Sequence, residues 1–170
     1  MDGRSSVVME MSVKSNPAVE QSPSRVEQVE AELRRALDAD ALDLHYQPIF
    51  DLTGRRMAGA EALLRWHHPQ LGRIEPSEAI PLAEASGLIV PLGRWVLERA
   101  CRQRAEWAEH GLSLPITINV SRHQLVDERF APMVLDALDR YALDPQTLCL
   151  EVTERVFYEP QGATLPMLEA

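Results

Sequence analysis

The chain has 170 residues, with 17 basic against 26 acidic side chains, a net charge of −9 and a pI near 5.0. Its composition, 45% hydrophobic and 25% charged, is that of a globular protein with one core, and its length falls short of the ~250 residues of a complete (β/α)8 barrel. The acidic balance argues against wrapping a nucleic-acid backbone, and no apolar run approaches the ~20 residues of a membrane-spanning helix.

The first 23 residues carry no helical or strand period and are punctuated by Pro17 and Pro23, so they read as a flexible leader. Glu10 and Lys14 interrupt the only apolar stretch there, which does not fit a signal peptide. A cytoplasmic protein is expected. Residues 24–170 form the domain proper. Ser24 and Glu27 have capping-box spacing, and Val26, Val29, Leu33 and Leu37 recur every three or four residues, predicting an amphipathic helix. Leu42, Leu44 and Tyr46 then alternate with Asp43, His45 and Gln47, the period of a strand. Asp51–Gly54 supplies a turn, and Met57–Trp66 reads as a second strand. So short a link favours an antiparallel pair. Ala58, Gly59, Ala60 and Ala62 indicate a crowded interior beside that strand.

Helices are predicted over Ser77–Ser86, closed by Gly87, and over Leu92–His110, with Leu92, Trp95, Val96, Ala100, Gln103 and Trp107 along one side. Ile116–Val120 is a third strand. Asp127 is placed to cap a helix whose Phe130, Val134, Leu138 and Tyr141 share a face. Leu148–Val152 is a fourth strand, and Leu165 and Leu168 suggest a further helix. Strand and helix in alternation imply an α/β fold with a mainly parallel sheet. Cys101 and Cys149 form neither a disulfide framework nor a metal-binding spacing.

Glu61, Asn119 and Glu151 are polar residues in otherwise apolar strands. A buried carboxylate is costly unless it is paired or holds a metal, and such donors can converge at the carboxyl end of a sheet. Oxygen ligands select hard cations such as Mg2+ or Mn2+. Arg65 follows on the second strand with a fork of donors suited to phosphate. Glu61, Asn119 and Glu151 taken singly are equally compatible with a structural ion pair or hydrogen bond, and an arginine in the place of Arg65 is more often the partner of a neighbouring carboxylate. His67 and His68 read as loop residues rather than a metal pair, and Trp95 and Trp107 as packing residues. Periodicity and spacing lead to a metal-site hypothesis and to no particular reaction.

Six motifs occur in order: Leu44-His45-Tyr46-Gln47-Pro48-Ile49; Glu61-Ala62-Leu63-Leu64-Arg65-Trp66; Ile80-Pro81-Leu82-Ala83-Glu84 with Gly87-Leu88-Ile89; Leu92-Gly93-Arg94-Trp95-Val96-Leu97; Asn119-Val120-Ser121 with Gln124-Leu125; and Leu150-Glu151-Val152-Thr153-Glu154. Together they resemble the EAL domain family of cyclic di-GMP phosphodiesterases over roughly residues 30 to 170. One departure is Ala79, where that family usually has an aromatic residue. The resemblance implies a TIM-like (β/α)8 barrel of the EAL type with an antiparallel first strand, of which about four strands are present. It also implies metal-dependent hydrolysis of cyclic di-GMP to pGpG by two cations, Mg2+ or Mn2+. Carried over by position, Glu61, Asn119 and Glu151 are metal ligands, Glu61 is also catalytic, and Gln47, Leu63 and Arg65 bind substrate.

The family's site has further parts. An Asp-Asp-Phe-Gly-Thr-Gly motif supplies two more ligands, yet this chain contains no Asp-Asp pair. A catalytic lysine is required, but 16 of the 17 basic residues are arginine and the single lysine is Lys14. Two carboxylates and an amide suffice to hold one Mg2+ weakly and are too few to bridge a pair. The expectation is an N-terminal half of an EAL domain that is inactive alone. Its open sheet edges and uncovered inner face should make it a homodimer or the partner of a complementing half-domain. The alternatives are a non-catalytic module that binds cyclic di-GMP or a protein, and, more remotely, a glycosidase using Glu61 and Glu151.

Overall fold

The computed structural model describes residues 24–152. The expected leader and the expected helix around Leu165 lie outside that range. Helix α1 (Arg25–Asp38) begins at the Ser24 capping box: the Ser24 amide donates to Glu27 Oε2 at 2.7 Å, and the Glu27 amide to Ser24 Oγ at 3.3 Å. Its Val29, Leu33 and Ala36 are buried on one stripe.

Strands β1 (Asp43–Phe50) and β2 (Met57–His68) form the expected antiparallel pair, with Gln47 opposite Glu61 and His45 opposite Leu63. The turn between them closes on Asp51, whose amide donates to the Arg56 carbonyl at 3.0 Å and whose carboxylate accepts from Thr53 Oγ1 at 2.6 Å. A short strand β3 (Gly72–Ile74) folds back on the end of β2. Sequence periodicity missed it because three residues are too few to alternate. His68 shapes the intervening turn by accepting the amides of Gln70 and Leu71 at 3.2 and 3.1 Å.

Helices α2 (Pro76–Ser86) and α3 (Ile89–Glu109) follow, separated by Gly87 in the left-handed conformation at φ 76°. Both start earlier than expected, because Pro76 is suited to the first helical turn and Ile89 is buried with Leu92. The buried stripe of α3 comprises Ile89, Leu92, Leu97, Ala100, Cys101 and Arg104, so it is rotated from the expected one toward Leu97. Strand β4 (Ile116–Val120), a one-turn helix α4 (Arg122–Leu125), helix α5 (Phe130–Arg140) and strand β5 (Leu148–Val152) complete the described chain. Asp127 does not take the N-cap position of α5, which falls on Arg129. Its carboxylate instead accepts from the Arg129 amide and guanidinium at 3.0, 2.8 and 2.7 Å.

The sheet order is β1-β2-β4-β5, with β3 attached to β2; β4 lies parallel to both β2 and β5. This is an α/β arc of a TIM-like barrel whose first strand is antiparallel. The helices cover one face, where Leu44, Ala62, Leu97, Ala100, Ile116 and Ile118 form a continuous core. Ala60 and Ala62 are 4% exposed, and a Cβ on Gly59 would come within 3.0 Å of the Pro115 carbonyl oxygen. The small residues of β2 thus admit the segment that leads into β4. Each large apolar side chain removed from water here contributes roughly 1.5–3 kcal/mol.

Candidate active site

Alternation along a strand sends successive side chains to opposite faces. Ala60, Ala62, Leu64 and Trp66 of β2 are buried against the helices, while Glu61, Leu63 and Arg65 emerge on the other face. In β4, Ile116, Ile118 and Val120 are buried, and Thr117 and Asn119 emerge. In β5 the emerging residues are Cys149 and Glu151. The sequence reading expected strands apolar on both sides, with carboxylates forced into a core. Instead Glu61 is half-buried, and Asn119 and Glu151 are exposed, because that face of the sheet is uncovered by any described residue. Desolvation is therefore not what groups these residues; the strand register is.

That register brings all three to one end of the sheet. Asn119 Nδ2 donates to Glu61 Oε1 at 2.7 Å. Asn119 stands opposite Glu151 in the β4–β5 ladder, where neighbouring backbones run ~4.8 Å apart. Asn119 consequently lies between the strands that carry the two carboxylates. Gln47, opposite Glu61 on β1, extends the row to a fourth strand. Leu63 and Arg65 share the face of Glu61, and the Arg65 guanidinium donates to the Leu64 carbonyl at 2.8 Å. It makes no ion pair with a carboxylate among the described residues, although that was the simplest structural role for it. No group of three or more His, Cys, Asp or Glu side chains able to hold a metal occurs among the described residues; the donor set is two carboxylates and one amide.

This set fits a hard divalent cation. All its donors are oxygens apart from the amide nitrogen, which the Asn119–Glu61 bond occupies, and such ions bind through one or two carboxylates with water filling the remaining positions. His45, Thr117 and Cys149 also face this side; alternation put His45 on the side of Gln47, whereas sequence reasoning did not single out Thr117 or Cys149. Thr117 pairs with both Glu61 and Cys149 in the ladders. Its spacing of two from Asn119 in Ile116-Thr117-Ile118-Asn119 was the available signal.

The histidine pair reads differently in three dimensions. His67 is exposed, whereas His68 Nε2 lies 3.3 Å from Glu32 Oε2 and thereby ties β2 to α1. Trp95 donates to Asp40 Oδ1 at 2.7 Å, and the Arg99 guanidinium lies 5.3 Å from the Trp95 ring centroid. Trp107 packs edge-on against Tyr46 at 5.1 Å. Burial pushes the Tyr46 hydroxyl up to about 12, with Asp43 adding to the rise. The Tyr46–Trp107 contact holds β1 to α3 on the side away from the site, and Trp95 ties α3 to the residues that follow α1.

A sheet of mixed direction covered by helices on one side, with two carboxylates and an amide gathered on the other toward the carboxyl ends of its parallel strands, has the arrangement in which α/β folds place their sites. The family model for the EAL domain matches residues 30–170, and the chain belongs to the EAL domain family. Its relatives include the bifunctional diguanylate cyclase/cyclic di-GMP phosphodiesterase MucR of Pseudomonas aeruginosa, 45% identical over 139 residues, which are 81% of this chain and 20% of that protein. Another is the cyclic di-GMP phosphodiesterase PdeR of Escherichia coli, 36% identical over 141 residues, or 83% of this chain and 21% of that one. Among solved structures, a PaMucR phosphodiesterase–c-di-GMP complex superimposes with a TM-score of 0.74 at 44% identity, covering 78% of this chain and 54% of that chain. The FimX EAL domain from Pseudomonas aeruginosa bound to c-di-GMP gives a TM-score of 0.67 at 28% identity, covering 75% and 51%. The chain thus spans about a fifth of the length of these curated relatives and about half of the matched structures. No described helix is long and apolar enough to cross a membrane.

Proposed function

We propose that this chain supplies the cation- and nucleotide-binding wall of a cyclic di-GMP phosphodiesterase site, and that these 170 residues alone bind cyclic di-GMP without hydrolysing it. The observation that carries the reading is the Asn119–Glu61 hydrogen bond with Glu151 opposite Asn119, on a face that also presents Gln47, Leu63 and Arg65. Family membership, and the cyclic di-GMP named for the matched structures, support the choice of ligand.

In this reading Glu61, Asn119 and Glu151 hold Mg2+ or Mn2+. When bound, divalent cations make a water more acidic and neutralise charge on phosphoryl oxygens. Arg65 offers forked donors to a non-bridging phosphate oxygen. Leu63 gives an apolar contact to the nucleoside, and Gln47 a polar one. The Asn119 amide keeps the Glu61 carboxylate turned toward its neighbours on the sheet. What favours binding without turnover is the content of the sequence: no Asp-Asp pair and no lysine other than Lys14. The ligands present cannot bridge the two ions, about 3.5–4 Å apart, that two-metal phosphodiesterases use.

Incubation with cyclic di-GMP and Mn2+, followed by chromatography and calorimetry, tests both halves of the proposal. The expected outcome is saturable binding with no pGpG. Accumulating pGpG overturns the inactivity, and absence of binding overturns the nucleotide site.

A further inference from the structure

The end of β4 that presents Asn119 runs beyond its backbone ladder with β2. Its ladder with β2 stops at the Ala62–Ile118 pair, one residue short of Asn119. Beside that end lies a cavity of about 210 Å3, lined by Leu63, Ile80, Leu92, Val96, Asn119 and Gln124 among others. Only β5 continues to pair with this end of β4.

Gln124 provides the missing restraint. Its side chain is 5% exposed, and its Oε1 accepts the Ser121 amide at 3.0 Å. The Gln124 backbone N–H donates in turn to the Ser121 carbonyl at 3.1 Å. Ser121, two residues beyond Asn119, is thereby held at φ −81° and ψ 158°, the extended conformation that ends the strand and starts α4. The buried carboxamide rests in a notch of α3: a Cβ on Gly93 would fall 1.8 Å from Gln124 Nε2 and 2.6 Å from its Cδ. Glycine weakens a helix relative to alanine, and the seated amide is the physical reason for one here.

We propose that Gln124 is a positioning residue: seated against Gly93, it fixes the backbone after Asn119 and so holds the Asn119 amide on Glu61. Its functional meaning rests on the site reading above, but the contact can be read without metal or nucleotide. The probe is the Asn119 side-chain amide pair in the 1H–15N spectrum of the full chain, assigned by its loss in Asn119→Asp and compared with Glu61→Ala, which removes its acceptor.

Gln124→Met fills the same space without an acceptor, Gln124→Glu keeps an acceptor oxygen, and Gly93→Ala invades the notch. Gln124→Met and Gly93→Ala should move the Asn119 pair toward its Glu61→Ala position, while Gln124→Glu stays near the parent. Mn2+ affinity should fall about ten-fold in the same two variants, the scale of an outer-shell loss. In a Gln124→Ala background, Gly93→Ala should add nothing further, because the two act through one contact. A parental Asn119 signal in folded Gln124→Met, or additive effects of Gly93→Ala and Gln124→Ala, would overturn the proposal. If the signal moves as expected but Glu61→Gln leaves Mn2+ binding intact, the positioning stands and the metal reading falls.

Discussion

Asn119 and Glu61 lie 58 residues apart in sequence on neighbouring parallel strands, and Asn119 Nδ2 donates to Glu61 Oε1 at 2.7 Å. The pairing register brings them within reach, because Glu61 stands opposite Thr117 and Asn119 follows two residues later on the same face. A one-residue slip would send either side chain into the helices. The site is in this sense a property of the sheet, not of a loop.

Arg65 has no carboxylate partner among the described residues, so none of these residues has to release its guanidinium before it meets a phosphate. Arg65→Ala should weaken cyclic di-GMP binding about ten-fold or more, as expected for a charge-assisted hydrogen bond, and leave the melting temperature nearly unchanged. Calorimetric titration of both proteins checks this.

The two cysteines should differ sharply in reactivity. Cys149 is exposed on the face of Glu151, whereas Cys101 is buried in α3; burial, with Glu98 adding to it, pushes the Cys101 thiol up to about 11. The thiolate is the reacting form. Folded protein should take up one equivalent of a disulfide reagent at neutral pH, none in Cys149→Ser, and a second only after unfolding.

Asp40 ties the end of α1 to α3. Its carboxylate accepts from Arg99 and from Trp95, and these bonds, Arg99 first, hold its pKa below the ordinary 3.8. A depressed carboxylate adds stability that is present above the unfolded pKa and lost as pH falls through the folded one. Asp40→Asn tolerates the left-handed backbone, φ 54°, yet cannot titrate. Thermal unfolding should therefore show a smaller loss of stability from about pH 5 to about pH 2 in the variant than in the parent.

Leu97 is fully buried among Leu44, Ala62, Ile116 and Ile118. Leu97→Ala should cost roughly 2–5 kcal/mol in urea unfolding. A loss near zero would mean that α3 does not form the cover of the sheet.

Much of this was legible in the sequence. Alternation in Leu44–Gln47 and the β-branched run Ile116–Val120 located strands, the short Asp51–Gly54 link gave the antiparallel pair, and the capping box at Ser24 and Gly87 marked helix ends. The positions of Glu61, Asn119 and Glu151 in their strands were sufficient to group them. Other features needed coordinates. Asp127 has the chemistry of a cap, but Arg129 draws its carboxylate away. The notch at Gly93 depends on the packing of α4 on α3, which no local pattern encodes. That the grouped face is open came from the resemblance to a half barrel and not from alternation, which identifies two faces of a strand without saying what covers each.

That open face and its neighbouring edge bear on assembly. β1 is an edge strand in the described sheet, and its end exposes Ile49 at 41% and Phe50 at 53%. Unprotected edges and apolar patches favour pairing with another chain. Light scattering across a concentration series should show self-association; a single monomeric mass throughout would argue against it.

The most direct measurement is a Mn2+ titration of the parent chain beside Glu61→Gln and Glu151→Gln, followed by electron paramagnetic resonance of the free ion. Three oxygen donors on one sheet face predict one Mn2+ bound by the parent, with clear weakening in each variant. Equal uptake by all three proteins, or none by the parent, would contradict a cation site built from β2, β4 and β5.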